Sequence, residues 1–410
     1  MIANKFCFHP VGQGLFYSGI LNDGQYCFVY DCGTENNRSF IEREIKELKA
    51  ELSQKQRKDK PQLDFVVISH LHEDHINGLE MLQNEFTIKK IILPYLNPQP
   101  DVIDLIVANA VFTGNESVET EVERYNIIRS YYGDAYATDA RQARDETILF
   151  PREKVAGYGG EELYLEKIAP VNIEWEFVFV NKTFDANKMH LFNQKLQTAL
   201  RDLGLGSVRQ LVDWFSRGQN YKEIKSTLHK VYEKTFGTKK INETSTVVMH
   251  YPIIDLGEPV VSAETYATTL NAGEYNKGFV NCGGEISLLT GDTIMDNIML
   301  NRLTHCHAEP FSGIVQIPHH GSKDNYFGIK GITCLPDLWN NFAIQVIPYG
   351  MGNKHHHPQQ DVLLDIQQKG KNLLSATQNL GVRYKIDVLD CDDEDPTDIR
   401  QEHLTDTNAG

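Results

Sequence analysis

Four side chains able to bind a metal or move a proton, His70, His72, Asp74 and His75, fall within six positions of the stretch SHLHEDHING. They follow DFVVI, an apolar run that reads as a buried strand. In an extended segment alternate side chains share a side, so His70, His72 and Asp74 are expected to project together from the strand's end. His75 is expected to start the next helix and turn in from a neighbouring direction. Glu73 points the other way, towards the surface or a helix N-terminus. Imidazoles with a few carboxylates and no thiolates suit zinc, manganese or iron, whereas a calcium or magnesium site would be mostly oxygen. A divalent ion such as Zn2+ or Mn2+ is the expected cofactor.

The elements that must position this cluster alternate between strand and helix. KFCFHPV, GLFYSGIL and QYCFVYDCG read as short strands separated by Gly and Asn-Asp-Gly turn signals, and RSFIEREIKELKAELSQKQRK as an amphipathic helix with Phe40, Ile41, Ile45 and Leu48 on one face. LDFVVIS, the helix INGLEMLQNEF and the strand KKIILPYL follow. Residues 101–240 read as a helix-rich insertion, with amphipathic segments ending near glycine. Strands return in STVVMHYPII, GEISLLTGD, SGIVQIPHHGS and FAIQVIPYG, then the helix QQDVLLDIQQKG and the strand RYKIDVL. Alternation of this kind implies sheets with helices packed on them, an α/β protein.

Composition narrows the function. The chain has 410 residues, 41% of them apolar, enough for a large core, and its formal net charge is -16. That charge argues against general electrostatic coating of nucleic acid, although a metal centre reverses the sign locally. Much of the acidity lies in residues 391–410, expected to be a disordered tail. Seven scattered cysteines with no CxxC spacing fit reduced, buried thiols rather than disulfides or a thiolate zinc site. With no signal-peptide pattern and no long apolar run, a soluble, cytoplasmic protein away from the membrane is expected.

The H-x-H-x-D-H stretch resembles the signature of the metallo-β-lactamase superfamily, which implies an αββα sandwich holding one or two metals between its sheets. Other positions fit that resemblance in order: Asp31 in YDCGT as a group buttressing a ligand histidine, Asp292 in LLTGDT as a bridging carboxylate, and His319 or His320 in IPHHGS as the last ligand. The halves of the implied domain are 1–100 and 241–390, around the 101–240 insertion. VGQG, HHGS and YGMGNKHHHPQQDVLLDI further resemble the soluble hydrolase domain of ComEC-type competence proteins, whose membrane channel is missing here. The pattern is departed from twice: Asn242 stands where the superfamily usually has a further histidine, and Leu15 where ComEC-type sequences commonly carry Asp.

Carried over residue by residue, the resemblance assigns one metal to His70, His72 and Asp292, and a second to Asp74, His75, Asp292 and His319 or, preferably, His320. Two such ions can share a water, lower its pKa and supply hydroxide at neutral pH. Asp74 would orient that nucleophile, Asn353 and His357 would face the substrate with His357 protonating the leaving group, and Ser322 would bind a phosphate oxygen or cap a helix. The implied activity is metal-dependent hydrolysis of an ester, a phosphodiester in nucleic acid or nucleotide first. A small cyclic nucleotide, phosphoester or lactone is an alternative substrate, and a partner-dependent effector subunit an alternative role, with 101–240 as the surface for a protein partner or self-association. His250 is expected in the core, while the THCH repeat at 304–307, His9, His190, His229 and His403 receive no role.

Overall fold

The computed structural model describes residues 4–94, 122–130, 147–149, 153–158, most of 161–217, 221–236, 245–253, 260–267, 280–296, 313–327 and 343–387, with positions 299 and 303. Asn242, the THCH repeat and the acidic tail lie outside the described residues.

Two sheets make up the frame. The first runs in the order β14 (Val280–Gly283), β13 (Val260–Ala267), β19 (Leu380–Asp387), β1 (Lys5–Phe8), β2 (Phe16–Leu21), β3 (Tyr26–Cys32), β5 (Phe65–Val67), β7 (Lys90–Ile92) and β8 (Thr147–Leu149). The second runs β18 (Asn372–Ala376), β17 (Ile344–Pro348), β16 (Gly313–Gln316), β15 (Ile286–Leu289), β12 (Val247–Pro252), β11 (Trp175–Lys182), β10 (Glu161–Ile168) and β9 (Glu153–Tyr158). A short pair, β4 (Gln62–Leu63) and β6 (Thr87–Ile88), stands beside them. Neighbours among β3, β5, β7 and β8, and among β15 to β18, are parallel. The stretch expected to be helix-rich does give helices Ala186–Asp202 and Tyr221–Phe236, but its strands β8 to β11 also extend both sheets.

Strand alternation sorts the core. Phe6, Phe8, Tyr17, Phe28, Tyr30 and Tyr384 of the first sheet meet Trp175, Phe177, Phe179, Val248, Leu289, Ile314 and Val346 of the second in one inner cluster. Each such large side chain, fully buried, contributes roughly 1.5–3 kcal/mol of hydrophobic stabilisation. On the outer side of the first sheet, Ile20, Cys27 and Val29 pack with Ile41, Ile45, Leu48 and Leu52 of helix α1 (Ser39–Gln56), the face its apolar spacing specifies. Phe192, Leu196 and Leu200 of the Ala186–Asp202 helix join that cluster. Outside the second sheet, Val362 and Ile366 of the helix Gln360–Gln368 cover Val315, Ile317 and Ile347. The layers are therefore helix, sheet, sheet, helix, the αββα arrangement.

His250 lies between the sheets and is a core residue. Trp175 Nε1 donates to its Nδ1 at 3.3 Å, which puts the ring proton on Nε2, 2.9 Å from the Tyr17 hydroxyl. Tyr17 and Tyr384 hydroxyls meet at 2.5 Å, and Tyr384 donates onward to Ser287 at 2.7 Å. Every ring nitrogen has a partner, and burial pushes the pKa of His250 down to about 3.

Candidate metal centre

The strands β3, β5, β15, β16 and β17 bring their C-terminal ends to one edge of the sandwich, and the loops after them carry the polar residues. Asp31 closes β3, His70 follows β5, Asp292 follows β15, and His319 and His320 follow β16. Close backbone contacts set the spacing. A Cβ on Gly33 would come within 2.4 Å of the Asp74 carbonyl carbon, and Leu15 N–H donates to the Asp74 carbonyl oxygen at 3.1 Å. Leu15 itself is part of the inner core.

Helix α2 (Glu73–Ile76) begins two residues earlier than expected, with His72 as its extended N-cap. Asp74 is thus directed by a helical turn rather than by strand alternation, and α3 (Leu79–Glu85) follows. His319 and His320 both adopt left-handed backbone, with φ of 47° and 54°, as does Asp31 at 56°. Such conformations cost on the order of 1–3 kcal/mol each for non-glycine residues and persist where the surroundings enforce them.

The polar atoms converge closely. His75 Nε2 is 3.2 Å from Asp292 Oδ1 and 3.7 Å from Asp74 Oδ2, and His70 Nε2 is 3.6 Å from Asp292 Oδ2. His320 Nε2 lies 3.1 Å from Asp74 Oδ2, and His319 Nε2 3.4 Å from Asp292 Oδ2. Among the described residues, three overlapping sets have ligand atoms within 4.8 Å of one another: His70, His75 and Asp292; His70, His72 and Asp74; Asp74, His75 and His320. The division differs from the expected one, since Asp74 rather than Asp292 completes the set with His70 and His72. Both rings of the HHGS pair face the carboxylates, but only His320 is buried with a ligand atom in a set.

Partners on the far side of each ring set its tautomer. Asp31 Oδ2 accepts from His75 Nδ1 at 2.7 Å and from Ser69 Oγ at 2.6 Å, and Ser69 Oγ in turn faces His70 Nδ1 at 3.0 Å. His320 Nδ1 donates to the Pro348 carbonyl at 2.8 Å, and His319 Nδ1 to Asn325 Oδ1 at 2.8 Å. In the neutral rings all four Nδ1 atoms carry the proton, so all four Nε2 lone pairs face the shared carboxylates. Ser69 and Asn325 were absent from the expected site. Ser69 adjoins His70 in the motif, whereas nothing in the sequence marks Asn325.

Charge tells the same story. Burial opposes the charged ring of His75, yet Asp74, Asp292 and Asp31 hold its pKa well above the ordinary value, and Asp74 with Asp292 raises His320 against burial. His70 and His72 are lowered, first by burial and then by neighbouring imidazoles. Asp292, despite burial, is lowered by His319, His75 and His70, and Asp74 by His75 and His320. Asp31, at the back, is raised by burial. Positive charge is thus demanded between Asp74 and Asp292. The donor set fits a divalent ion: His70 Nε2 and His75 Nε2 are buried without a hydrogen bond, a state in which polar atoms are seldom left.

Beside the cluster, the His357 ring is tilted against that of His319 with centroids 5.3 Å apart. Burial, reinforced by His319, His320 and His355, pushes its pKa down to about 3, and its buried Nδ1 makes no hydrogen bond. Its surroundings thus favour the neutral ring. Asn353 also differs from expectation. Its Nδ2 donates to the carbonyls of Gly350 at 2.7 Å and His357 at 2.5 Å, and its Oδ1 accepts from the His355 and His357 N–H groups at 3.1 Å. Its amide is taken up by the turn, so it positions His357 rather than facing a substrate. His355 pairs with Glu35 at 3.2 Å. Ser322 is buried directly ahead of the helix Lys323–Phe327, its carbonyl accepting from Tyr326 N–H at 3.0 Å.

Residues 13–102 match the family model of the metallo-beta-lactamase superfamily, a span holding Asp31 and the 70–75 cluster but not Asp292, His319, His320 or His357. The match points to a metal-dependent hydrolase. No curated protein matches the chain. A metallo-beta-lactamase from Cronobacter sakazakii, a HARLDQ-motif mutant, aligns at 16% identity over 42% of this chain and 54% of that one, with a TM-score of 0.18. The chain thus spans about half the length of that neighbour. A mutant metallo-beta-lactamase from Legionella gormanii aligns at 13% identity over 56% of this chain and 93% of the other, also with a TM-score of 0.18. Superpositions this loose carry no weight for substrate. Among the described residues no helix is long and apolar enough to cross a membrane.

Proposed function

We propose that this protein is a metal-dependent phosphodiesterase acting on nucleic acid or a nucleotide. The observation that carries the reading is the common orientation of His70, His75, His319 and His320, each with Nδ1 held from behind and Nε2 turned towards Asp74 or Asp292. His70, His72, Asp74, His75, Asp292 and His320 would hold one or two ions, zinc or manganese, with His319 beside them. When bound, divalent ions at such a site supply Lewis acidity and lower the pKa of water towards 7.

The chain's own residues do the rest. Asp31 and Ser69 fix the rings of His75 and His70. Asp74, at the mouth of the set, orients the attacking water and accepts its proton. His357 offers a neutral N–H to a phosphate or leaving-group oxygen, and proton donation from it requires anionic charge close by, as a phosphate brings. Asn353 keeps that ring in place. The HHGS and NKHHHP motifs, which look ComEC-like, support a phosphodiester over a lactam.

The test is metal content together with hydrolysis of a bis-aryl phosphodiester, single-stranded DNA and small carboxylic esters by the native protein and Asp292→Ala. Loss of about one or two ions with loss of phosphodiester cleavage in the variant is expected. Full activity in Asp292→Ala overturns the metal scheme, and cleavage of the carboxylic esters alone overturns the phosphodiester assignment.

A further inference from the structure

Two loops from distant parts of the chain meet beside the metal centre, and a carboxylate is held between them. One follows β3 and carries Thr34, Glu35 and Asn36. The other runs from β17 to the helix Gln360–Gln368 and carries Lys354, His355 and His357. Glu35 Oε2 lies 3.2 Å from His355 Nε2 and 3.4 Å from Lys354 Nζ.

The bases of both loops are fixed. Glu35 N–H donates to the Gln13 carbonyl at 2.6 Å and Gly350 N–H to the Gln13 side-chain oxygen at 3.2 Å, so both loops hang on one residue. Gly350 leaves no room for a side chain, since a Cβ there would come within 2.7 Å of Asn36 Oδ1 and of Gln13 N. Asn353 Oδ1 holds the N–H groups of His355 and His357 in the second loop. The tips, by contrast, are open: the side chains of Lys354, His355 and Glu35 are 60%, 41% and 30% exposed.

A line of rings joins this contact to the metal centre. His355 and His357 stack with 5.9 Å between centroids and 15° between planes, and His357 and His319 are 5.3 Å apart. His319 Nε2 is in turn 3.4 Å from Asp292 Oδ2. The groups that hold Glu35 thus stand beyond the site where an ion would bind, with the rings of His357 and His319 between.

The geometry points to Lys354 and His355 as a subsite for a second phosphate, the neighbour of the phosphodiester that is cleaved, an assignment that rests on the phosphodiesterase reading above. Glu35 occupies the subsite until substrate arrives. The same N–H donors recognise carboxylate and phosphate oxygens. Exposed ion pairs contribute little, so a phosphate displaces Glu35 at small cost. With a net charge of -16 the chain repels a polyanion as a whole, and a cationic rim beside the site supplies local attraction. The ligand class is a nucleotide strand or a phosphorylated dinucleotide rather than an isolated diester. Because Glu35 competes with that ligand, removing its charge tightens binding, whereas removing Lys354 loosens it. A contact that merely braced the two loops would be harmed by both changes.

The experiment compares hydrolysis of a thymidine dinucleotide without a terminal phosphate and of the same dinucleotide phosphorylated at its 5′ or its 3′ end, by the full chain in saturating zinc. The native protein is expected to favour one phosphorylated form by roughly fivefold in kcat/KM, carried by KM, the scale of a single exposed ion pair. Lys354→Gln should bring that ratio to about one, and Glu35→Gln should raise it by about threefold. Fluorescence anisotropy with a short, labelled phosphorothioate oligothymidylate reads the same subsite without cleavage. Binding should be tightest in Glu35→Gln, intermediate in the native protein and weakest in Lys354→Gln. Failure to cut any diester overturns the phosphodiesterase reading, and the subsite is then judged on this order of affinities. Equal kcat/KM on all three dinucleotides, weaker binding in both variants, or no difference among the three proteins overturns the subsite. Zinc stoichiometry should match the native value in both variants.

Discussion

Histidines are buried in two contrasting ways in this molecule. His250 is a finished structure: Trp175 donates to Nδ1, Nε2 reaches Tyr17, and the chain of donors ends on Ser287 through Tyr384. At the sandwich edge the polarity of the rings is reversed. There Nδ1 is the donor, towards Asp31, Pro348 or Asn325, and Nε2 looks at carboxylates that already sit close together. Burial alone therefore does not distinguish a ligand histidine from a core histidine. What distinguishes them is which nitrogen the protein has used.

The largest expected effect separates the two regions by pH. An unfolded chain protonates a histidine near pH 6.5, whereas folded His250 stays neutral down to about 3. Between those values the unfolded state binds the extra proton, so this residue's stabilisation is present above 6.5 and is lost as pH falls, by about 5 kcal/mol in all. Urea unfolding of the native protein and of His250→Leu from pH 7 downward checks this. The difference between the two should shift steadily in the variant's favour on acidification. A constant difference would mean that the core network does not hold a neutral ring.

Metal addition should act on the other region. An ion that binds only the folded state adds about 4 kcal/mol at a thousand times its dissociation constant. Zinc or manganese should raise the unfolding free energy by that increment in the native protein and in His250→Leu, and by little in Asp74→Asn. Equal increments in all three would place the ion elsewhere. At neutral pH His250→Leu should itself cost about 2–4 kcal/mol, because Trp175 Nε1 and Tyr17 each lose a buried partner. Metal-binding stoichiometry should not move.

How much of this was legible in the sequence follows the same division. The cluster at 70–75, Asp31, Asp292 and the HHGS pair stand beside strands with strong apolar runs, and their convergence needs little more than strand ends at one edge of a parallel sheet. The start of α2 was misplaced because His72 is an extended N-cap, and an H-x-H-x-D spacing reads equally well as a continuing strand. Strands β9 and β10 were missed because EKVAGY and EELYLEKI are rich in charge and poor in clean alternation, so pairing with β11, not propensity, makes them strands. Asn353 was misassigned for a related reason: sequence spacing shows that an amide is near the site, but not that a turn already occupies all its hydrogen-bonding groups. The tie between His9 and Glu44 was invisible, since the two residues lie far apart along the chain.

The smallest effect expected is the most direct probe of the reversed polarity. Asp31 takes Ser69 N–H on Oδ1 at 2.6 Å, and the Ser69 hydroxyl and His75 Nδ1 on Oδ2. In Asp31→Asn one oxygen becomes an NH2 group. Turned towards the Ser69 N–H, it sets donor against donor. Turned the other way, it donates to His75 Nδ1, moves the ring proton to Nε2 and removes the lone pair that would hold an ion. Either way the fold retains a polar group of the same size but one buried hydrogen bond is lost, so unfolding in the absence of metal should change by about 1–3 kcal/mol. Metal affinity should fall by roughly 10–100-fold, or about 1.4–2.7 kcal/mol. Isothermal titration with zinc measures the second quantity and urea unfolding in chelator the first. An unchanged affinity would mean that the tautomer of His75 is set by something other than Asp31, and the distinction between ligand and core histidines drawn from hydrogen-bond direction would fail at its central residue.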